Sequence, residues 1–175
     1  MKPKINIVYS YYYSDLMDKT LVIATKLLEK FNFDFEKTMV PGSFEIPFAI
    51  AKSIKEDTSD KKDIVSSFKQ KGKNEIRDNI VQMAKLSQLN LNDKCIYSGY
   101  LALGCIIKGE TINHQAISTS IFTNIQKISV DNVMPISNGI FNANNLNEAK
   151  TKYEKCTSNA VNVLNKLVNY DGKKT

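Results

Sequence analysis

Few side chains in this chain are of a type that does chemistry. There is one histidine, His114, together with three cysteines, Cys95, Cys105 and Cys156, and a run of three tyrosines, Tyr11-Tyr12-Tyr13. No two cysteines form a CxxC pair, and a single histidine leaves too few soft ligands for a zinc site. No metal is expected. The cysteines are also too few and too far apart for a disulfide framework, and reduced thiols in a cytosol fit this usage. Cys105 lies in an apolar run, where thiolate formation is disfavoured, so it reads as a packed small residue. Asn113, just before His114, can orient a substrate but cannot transfer a proton at neutral pH. Glu45 stands where its charge complements the start of a following helix.

Alternating strands and helices position these residues. Ile5 to Tyr9 is β-branched and alternating, which predicts a first strand. The turn Ser10 to Asp15 leads into a helix with Leu16, Leu21, Ile23, Leu27, Leu28 and Phe31 at helical spacing, closed by Asn32. Phe33 to Val40 reads as a second strand, stopped by Pro41-Gly42, and Pro47 is tolerated in the first turn of a helix through Phe48, Ile50, Ala51 and Ile54. Composition then shifts. The stretch 55–94 is rich in Lys, Asp, Ser and Asn, with one amphipathic helix through Ile76, Ile80 and Met83. It reads as a polar surface insertion in a single domain spanning 1–175, because its apolar content cannot close a core alone.

Ile96 to Ile107 is the most apolar segment, and Tyr100-Leu101-Ala102-Leu103 predicts a central parallel strand covered on both faces. A helix from about Asn113 to Ile128 carries the stripe Ile117, Ile121, Ile125 and Ile128. Met134 to Phe141 reads as a fourth strand. Asn144 or Asn145 caps a last helix whose apolar side is marked by Leu146, Ala149, Tyr153, Cys156, Ala160, Val163, Leu164 and Leu167. This order predicts a three-layer α/β/α sandwich with a four-stranded parallel sheet. Ligands bind such sheets outside the carboxyl ends of the strands. That edge gathers Ser10–Ser14, Pro41–Glu45, Lys108–His114 and Asn142–Asn145.

The chain has 175 residues, 42% of them hydrophobic and 24% charged, which is globular composition for one domain. Its 24 basic residues outnumber 18 acidic ones, yet they are nearly all Lys, scattered among Asp and Glu. Scattered lysines read as a solvated surface rather than a nucleic-acid face. The longest apolar run, Tyr100 to Ile107, falls far short of the ~20 residues of a membrane span. The basic start, Met1 to Lys4, is followed by too short an apolar stretch for a signal-peptide core. A soluble, cytoplasmic protein without nucleic-acid or membrane partners is expected.

Two long motifs follow the second and third strands. Val40-Pro41-Gly42-Ser43-Phe44-Glu45-Ile46-Pro47 resembles the V-P-G-(A/S)-x-E-(I/L)-P motif of the 6,7-dimethyl-8-ribityllumazine synthase family, and Leu103-Gly104-Cys105-Ile106-Ile107-Lys108-Gly109-Glu110-Thr111 is similar to its L-G-x-V-I-(R/K)-G-x-T motif. Pro135, Asn138-Gly139-Ile140 and Glu148-Ala149 continue the resemblance in order. It implies a flavodoxin-like fold and a cofactor-free transferase. The enzyme would condense 5-amino-6-(D-ribitylamino)uracil with 3,4-dihydroxy-2-butanone 4-phosphate in riboflavin biosynthesis, as a homo-oligomer, pentamer or larger, with each site between two subunits. It also implies roles. Tyr12 stacks on the pyrimidine. Ser43 and Glu45, flanking Phe44, hold the ribityl hydroxyls. Cys105, Ile106 and Ile107 border the uracil through their backbone. Glu110 and Thr111 belong to the turn that holds phosphate. Asn138 continues the substrate-binding set. Lys152 stands where the family usually has a phosphate-clamping Arg, keeping the charge without the bidentate fork.

One departure concerns the proton carrier. The family pattern Gly-x-Thr-x-His places its histidine at Asn113, and His114 lies one residue on, a rotation of ~100° along a helix. In one reading a local change of backbone, which would let His114 serve, or substrate-held geometry preserves synthesis. In another, the chain is a degenerate, non-catalytic oligomer that keeps the ligand pocket. A third reading, independent of the resemblance, is a flavodoxin-like module for a small anionic ligand.

Overall fold

A computed structural model describes residues 2–57, 96–109 and 113–171, with the backbone alone at Asn113. The chain divides into two units, 1–51 with 97–175, and 52–96. The stretch read as an insertion, including its helix through Ile76, Ile80 and Met83, lies all but wholly outside the described residues, as do Glu110 and Thr111. In the smaller unit, Lys52 and Glu56 form an exposed ion pair one helical turn apart, at 3.6 Å.

The larger unit is built on four strands, β1 (Lys4–Ser10), β2 (Asp34–Val40), β3 (Gly99–Ile107) and β4 (Ile136–Ala143). They form one sheet of order β2-β1-β3-β4, and every neighbouring pair is parallel. The helices of this unit are α1 (Ser14–Lys30), α3 (Asn113–Asn132), α4 (Leu146–Val168) and the first part of α2 (46–57, preceded by a 3-10 turn at Ser43–Glu45), whose residues from 52 on belong to the smaller unit. The expected sandwich with a parallel four-stranded sheet is the observed one.

Strand parity assigns the two faces. Ile5 and Ile7 of β1 and Leu101 and Leu103 of β3 pack with Met17, Leu21 and Leu28 of α1 and Val161 and Leu164 of α4 in one buried cluster. Closer to the carboxyl edge on that face, Leu16, Cys105, Phe141, Ala143 and Ala149 form a second. The opposite face carries Tyr100 and Ala102, fully buried, and receives α3, which packs on β3 and β4. A fully apolar β3 follows from its cover on both sides.

Two helices end in left-handed residues. Asn32 (φ 61°) terminates α1, with Phe33 N–H donating to Leu28 O and Asn32 N–H to Glu29 O. This is the six-to-one and five-to-two pairing of a Schellman end, and Asn tolerates the conformation. α3 runs past Ile128 to Asn132 and ends the same way at Val133 (φ 49°), a β-branched residue left 88% exposed. Sequence reasoning stopped α3 too early because Ser129 to Asn132 add nothing to the isoleucine stripe. α4 also differs from expectation. Its buried side is Ala149, Thr157, Ala160, Val161 and Leu164, whereas Leu146, Val163 and Leu167 are exposed. Thr157 is accommodated because its hydroxyl donates to the Tyr153 carbonyl.

Candidate active site

Because all strands are parallel, the four segments that follow them share one edge. The Tyr11 N–H donates to Val40 O (3.2 Å), joining the turn after β1 to the end of β2, and the Lys108 N–H donates to Ala143 O (2.9 Å), joining the ends of β3 and β4. Backbone hydrogen bonds therefore tie the edge within each outer pair of strands.

On the α2/α3 side, the Ser10 and Ser43 hydroxyls meet at 3.0 Å, with Ser10 buried at the end of β1. The space for this pair comes from Gly104 in β3. A Cβ there would stand 2.6 Å from Ser43 Oγ and 3.1 Å from Ser10 Oγ. The glycine of the second motif thus makes room for the serine of the first, although some sixty residues separate them in the chain. Phe44 and Glu45, next in the 3-10 turn, are exposed. Ser10 was not singled out in the sequence, and Gly104 appeared only as part of a motif. Nothing local marks a contact between residues 33 apart.

Beside this pair, α3 is anchored by its first turns. Asn113 opens the helix and His114 is half-buried. The buried Ser118 hydroxyl donates to the His114 carbonyl (2.6 Å) and reaches Asn142 Oδ1 (2.9 Å) beyond it. Asn142 also accepts, through its carbonyl, from Lys152 Nζ (3.4 Å), and Lys152 is ion-paired with Glu148. Asn142 therefore connects the turn bearing His114 to the cation expected to meet phosphate. Sequence reasoning placed Asn142 on the edge without a role. Asn138 is exposed on β4, its Oδ1 accepting from the Ile140 N–H.

Glu148 sits in the first turn of α4, and its carboxyl is lowered to about 2 by Lys152 first and by the Asn144 N–H second. Its own N–H donates to the side chain of Asn145, which is the N-cap (2.9 Å), while its carboxylate accepts from the Asn144 N–H (2.7 Å). Both expected caps thus take part, Asn145 through its side chain and Asn144 through its backbone.

On the α1/α4 side, Cys105 and Ile107 join the cluster around Leu16, and the burial of Cys105 pushes its thiol up to about 12. By parity Ile106 faces the other way. The three residues expected to border one ring therefore present side chains to opposite faces of the sheet, and only their backbone is common to the edge. Tyr12 is 75% exposed and meets Tyr13 edge-to-face, ring centres 5.0 Å apart. Among the described residues, no three His, Cys, Asp or Glu side chains cluster as metal ligands, and no helix is long and apolar enough to cross a membrane.

The parallel sheet defines an α/β protein, and its hydroxyls, a carboxylate and a cation gather outside the carboxyl ends of the strands, the edge at which sheets of this kind bind ligands. The sequence model of 6,7-dimethyl-8-ribityllumazine synthase matches residues 2–68 and 61–170, and the chain belongs to that family. The enzyme of that name from Agrobacterium fabrum is 28% identical over 148 residues, covering 85% of this chain and 78% of its own. That from Bartonella bacilliformis is 26% identical over 149 residues, covering 85% and 74%. A shorter match, 43% identical over 53 residues, is to the enzyme of Buchnera aphidicola, covering 30% of this chain and 33% of its own.

Proposed function

We propose that this protein is a transferase that condenses 5-amino-6-(D-ribitylamino)uracil with 3,4-dihydroxy-2-butanone 4-phosphate. The products are 6,7-dimethyl-8-ribityllumazine, inorganic phosphate and two molecules of water. The family match over nearly the whole chain carries this reading, and the Ser10–Ser43 contact beneath Gly104, which joins the two family motifs, supports it.

In this reading Tyr12 stacks on the pyrimidine, Ser43 and Glu45 receive the ribityl chain beside Phe44, and the backbone of Cys105, Ile106 and Ile107 lines the ring. Glu110, Thr111, Asn113 and Lys152 hold the four-carbon phosphate, and Asn138 completes the lining. Much of such a condensation is positioning, since effective molarities of ~10^5 M or more come from orientation alone. His114 is the proposed proton carrier, and the link from its turn through Ser118 to Asn142 favours a place for it at the edge. The test is the growth of lumazine absorbance when purified protein meets both substrates. Correctly assembled protein that gives none would assign the chain to ligand holding without turnover. His114→Ala should cut turnover by ~10^2 or more, and Asn113→His with His114→Phe should give no gain. A gain of tenfold from that exchange would move the catalytic position to residue 113.

The working form in this proposal is a cytoplasmic cyclic homo-oligomer, a pentamer or larger. It is supported by Phe48, 72% exposed, and Phe44 beside it, which border a groove of about 410 Å³ against α3. Sedimentation as a 19.7 kDa monomer at micromolar protein would overturn it. The proposal also makes 55–94 an insertion in one catalytic domain; because α2 runs through residue 57 and buries Asp57, the deletion that tests it starts after the helix, and removing residues 58–74 should leave assembly and turnover intact.

A further inference from the structure

We propose that the cavity on the α1/α4 side of the edge is a second binding site, for a small planar aromatic molecule that carries a phosphate. The cavity measures about 390 Å³, within the range of small-molecule sites. Three phenol rings, Tyr12, Tyr13 and Tyr153, and two ammonium groups, Lys19 and Lys150, line it together with Asp15.

Its floor is fixed. Tyr13 and Tyr153 pack against the buried cluster of Leu16, Cys105, Phe141, Ala143 and Ala149, so two of the three rings are held before any ligand arrives. A pre-set ring site loses less entropy on binding than a floppy one. Tyr12 meets Tyr13 edge-to-face and keeps most of its own surface open, so a ring face remains for stacking.

The charges ask for an anion. Neither Lys19 nor Lys150 forms an ion pair among the described residues, whereas Lys152, on another side of the same helix, is paired with Glu148. Asp15 is the one carboxylate on the lining, and it lies in the first turn of α1, where the helix end itself stabilises negative charge. Two lysines on flexible stems suit a phosphate as point charges. Lys19, Lys150 and Tyr153 belong to none of the roles proposed for lumazine formation. Only Tyr12 is shared, so the site does not depend on that reading.

The experiment is calorimetric titration of the full-length protein with adenosine 5′-monophosphate and, separately, with adenosine. Riboflavin 5′-phosphate and riboflavin serve as a second pair with a larger ring. At least one phosphorylated probe should bind ten or more times tighter than its neutral partner. The variant carrying Lys19→Ala and Lys150→Ala should lose that difference while its lumazine formation and assembly stay unchanged. Tyr153→Leu should weaken both members of the pair about equally, by ~5-fold or more, the scale of one lost base stack. Both lysines are exposed, so the double variant decides the question even where Tyr153→Leu fails to fold. Equal binding of phosphorylated and neutral probes, or undiminished phosphate preference in the lysine variant, overturns the site. Loss of lumazine formation by the unaltered protein bears only on the proposed reaction.

Discussion

On the α1/α4 side of the sheet edge, rings, methyls and a thiol make a continuous apolar cluster, and Asp15, Lys19 and Lys150 line the cavity beside it. On the α2/α3 side, a few residues away through the same strands, they are hydroxyls and amides joined by hydrogen bonds, Ser10 to Ser43 and Ser118 to Asn142. The two sides are read from alternate residues of β3. Gly104 opens toward the serines, and Cys105 is buried among the apolar groups. One strand thus supplies packing and chemistry by parity. A glycine on each side shows what each depends on. Gly104 faces two hydroxyls, whereas Gly139 of β4 faces Leu103, the Ala102 carbonyl and Ala160.

Methylating each glycine separates the two sides. Of the two, Gly104→Ala should have the larger effect on turnover, because the new Cβ stands 2.6 Å from Ser43 Oγ and displaces the serine. A loss of ~10^2 in kcat/KM is expected, with circular dichroism and assembly near normal. Normal KM and kcat in the Gly104→Ala variant would show that Ser43 is not part of the site. Gly139→Ala should act on stability. Its Cβ would lie 2.7 Å from Leu103 Cδ2 and 3.0 Å from the Ala102 carbonyl, and such overpacking costs about 1–3 kcal/mol. The thermal midpoint should fall while turnover below it is retained.

Ser10→Ala sharpens the comparison by removing one hydroxyl and leaving the space. Ser43 then loses its partner at 3.0 Å. A net hydrogen bond of ~1 kcal/mol corresponds to ~5-fold, expected in KM for the ribitylaminouracil rather than in kcat. An equal change in both would assign Ser10 to general stability instead. The smallest effect is at Glu148, whose carboxyl is lowered to about 2 from an ordinary 4.5. A depressed carboxyl stabilises the fold above the unfolded value, and that contribution is lost as pH falls through the folded one. Glu148→Gln should therefore lower the thermal midpoint slightly at neutral pH. The gap to the parent protein should narrow from pH 4.5 towards 2. A gap constant with pH would remove the carboxylate from the capping of α4.

Much of this molecule is legible in its sequence. The alternation of Ile5 to Tyr9, the continuous run of β3 and the isoleucine stripe of α3 each carry their own period, and each formed the expected element. The motifs after β2 and β3 also name the edge. What escapes are contacts that close over distance. Ser10 and Ser43 look like ordinary turn and strand-end serines until the parallel register of β1 with β2 pairs Ser10 with Val40 and brings Ser43 alongside. The flank of α4 escapes for another reason. Val163 and Leu167 fit the helical period as well as Val161 and Leu164 do, and only the position of α1 and the sheet decides which are covered.

The strand order has a consequence for how the molecule comes together. β1 lies between β2 and β3, so its pairing of Ile5 with Gly99 must close a loop of roughly ninety residues, whereas β1 with β2, and β3 with β4, are joined by one helix each. Two short-range halves can therefore form early, and the long-range seam between β1 and β3 sets the pace. Ser10 and Ser43 belong to one half and Gly104 to the other. The hydroxyl pair finds its slot only when that seam closes, so an assay of its geometry during refolding would report the last step rather than the first.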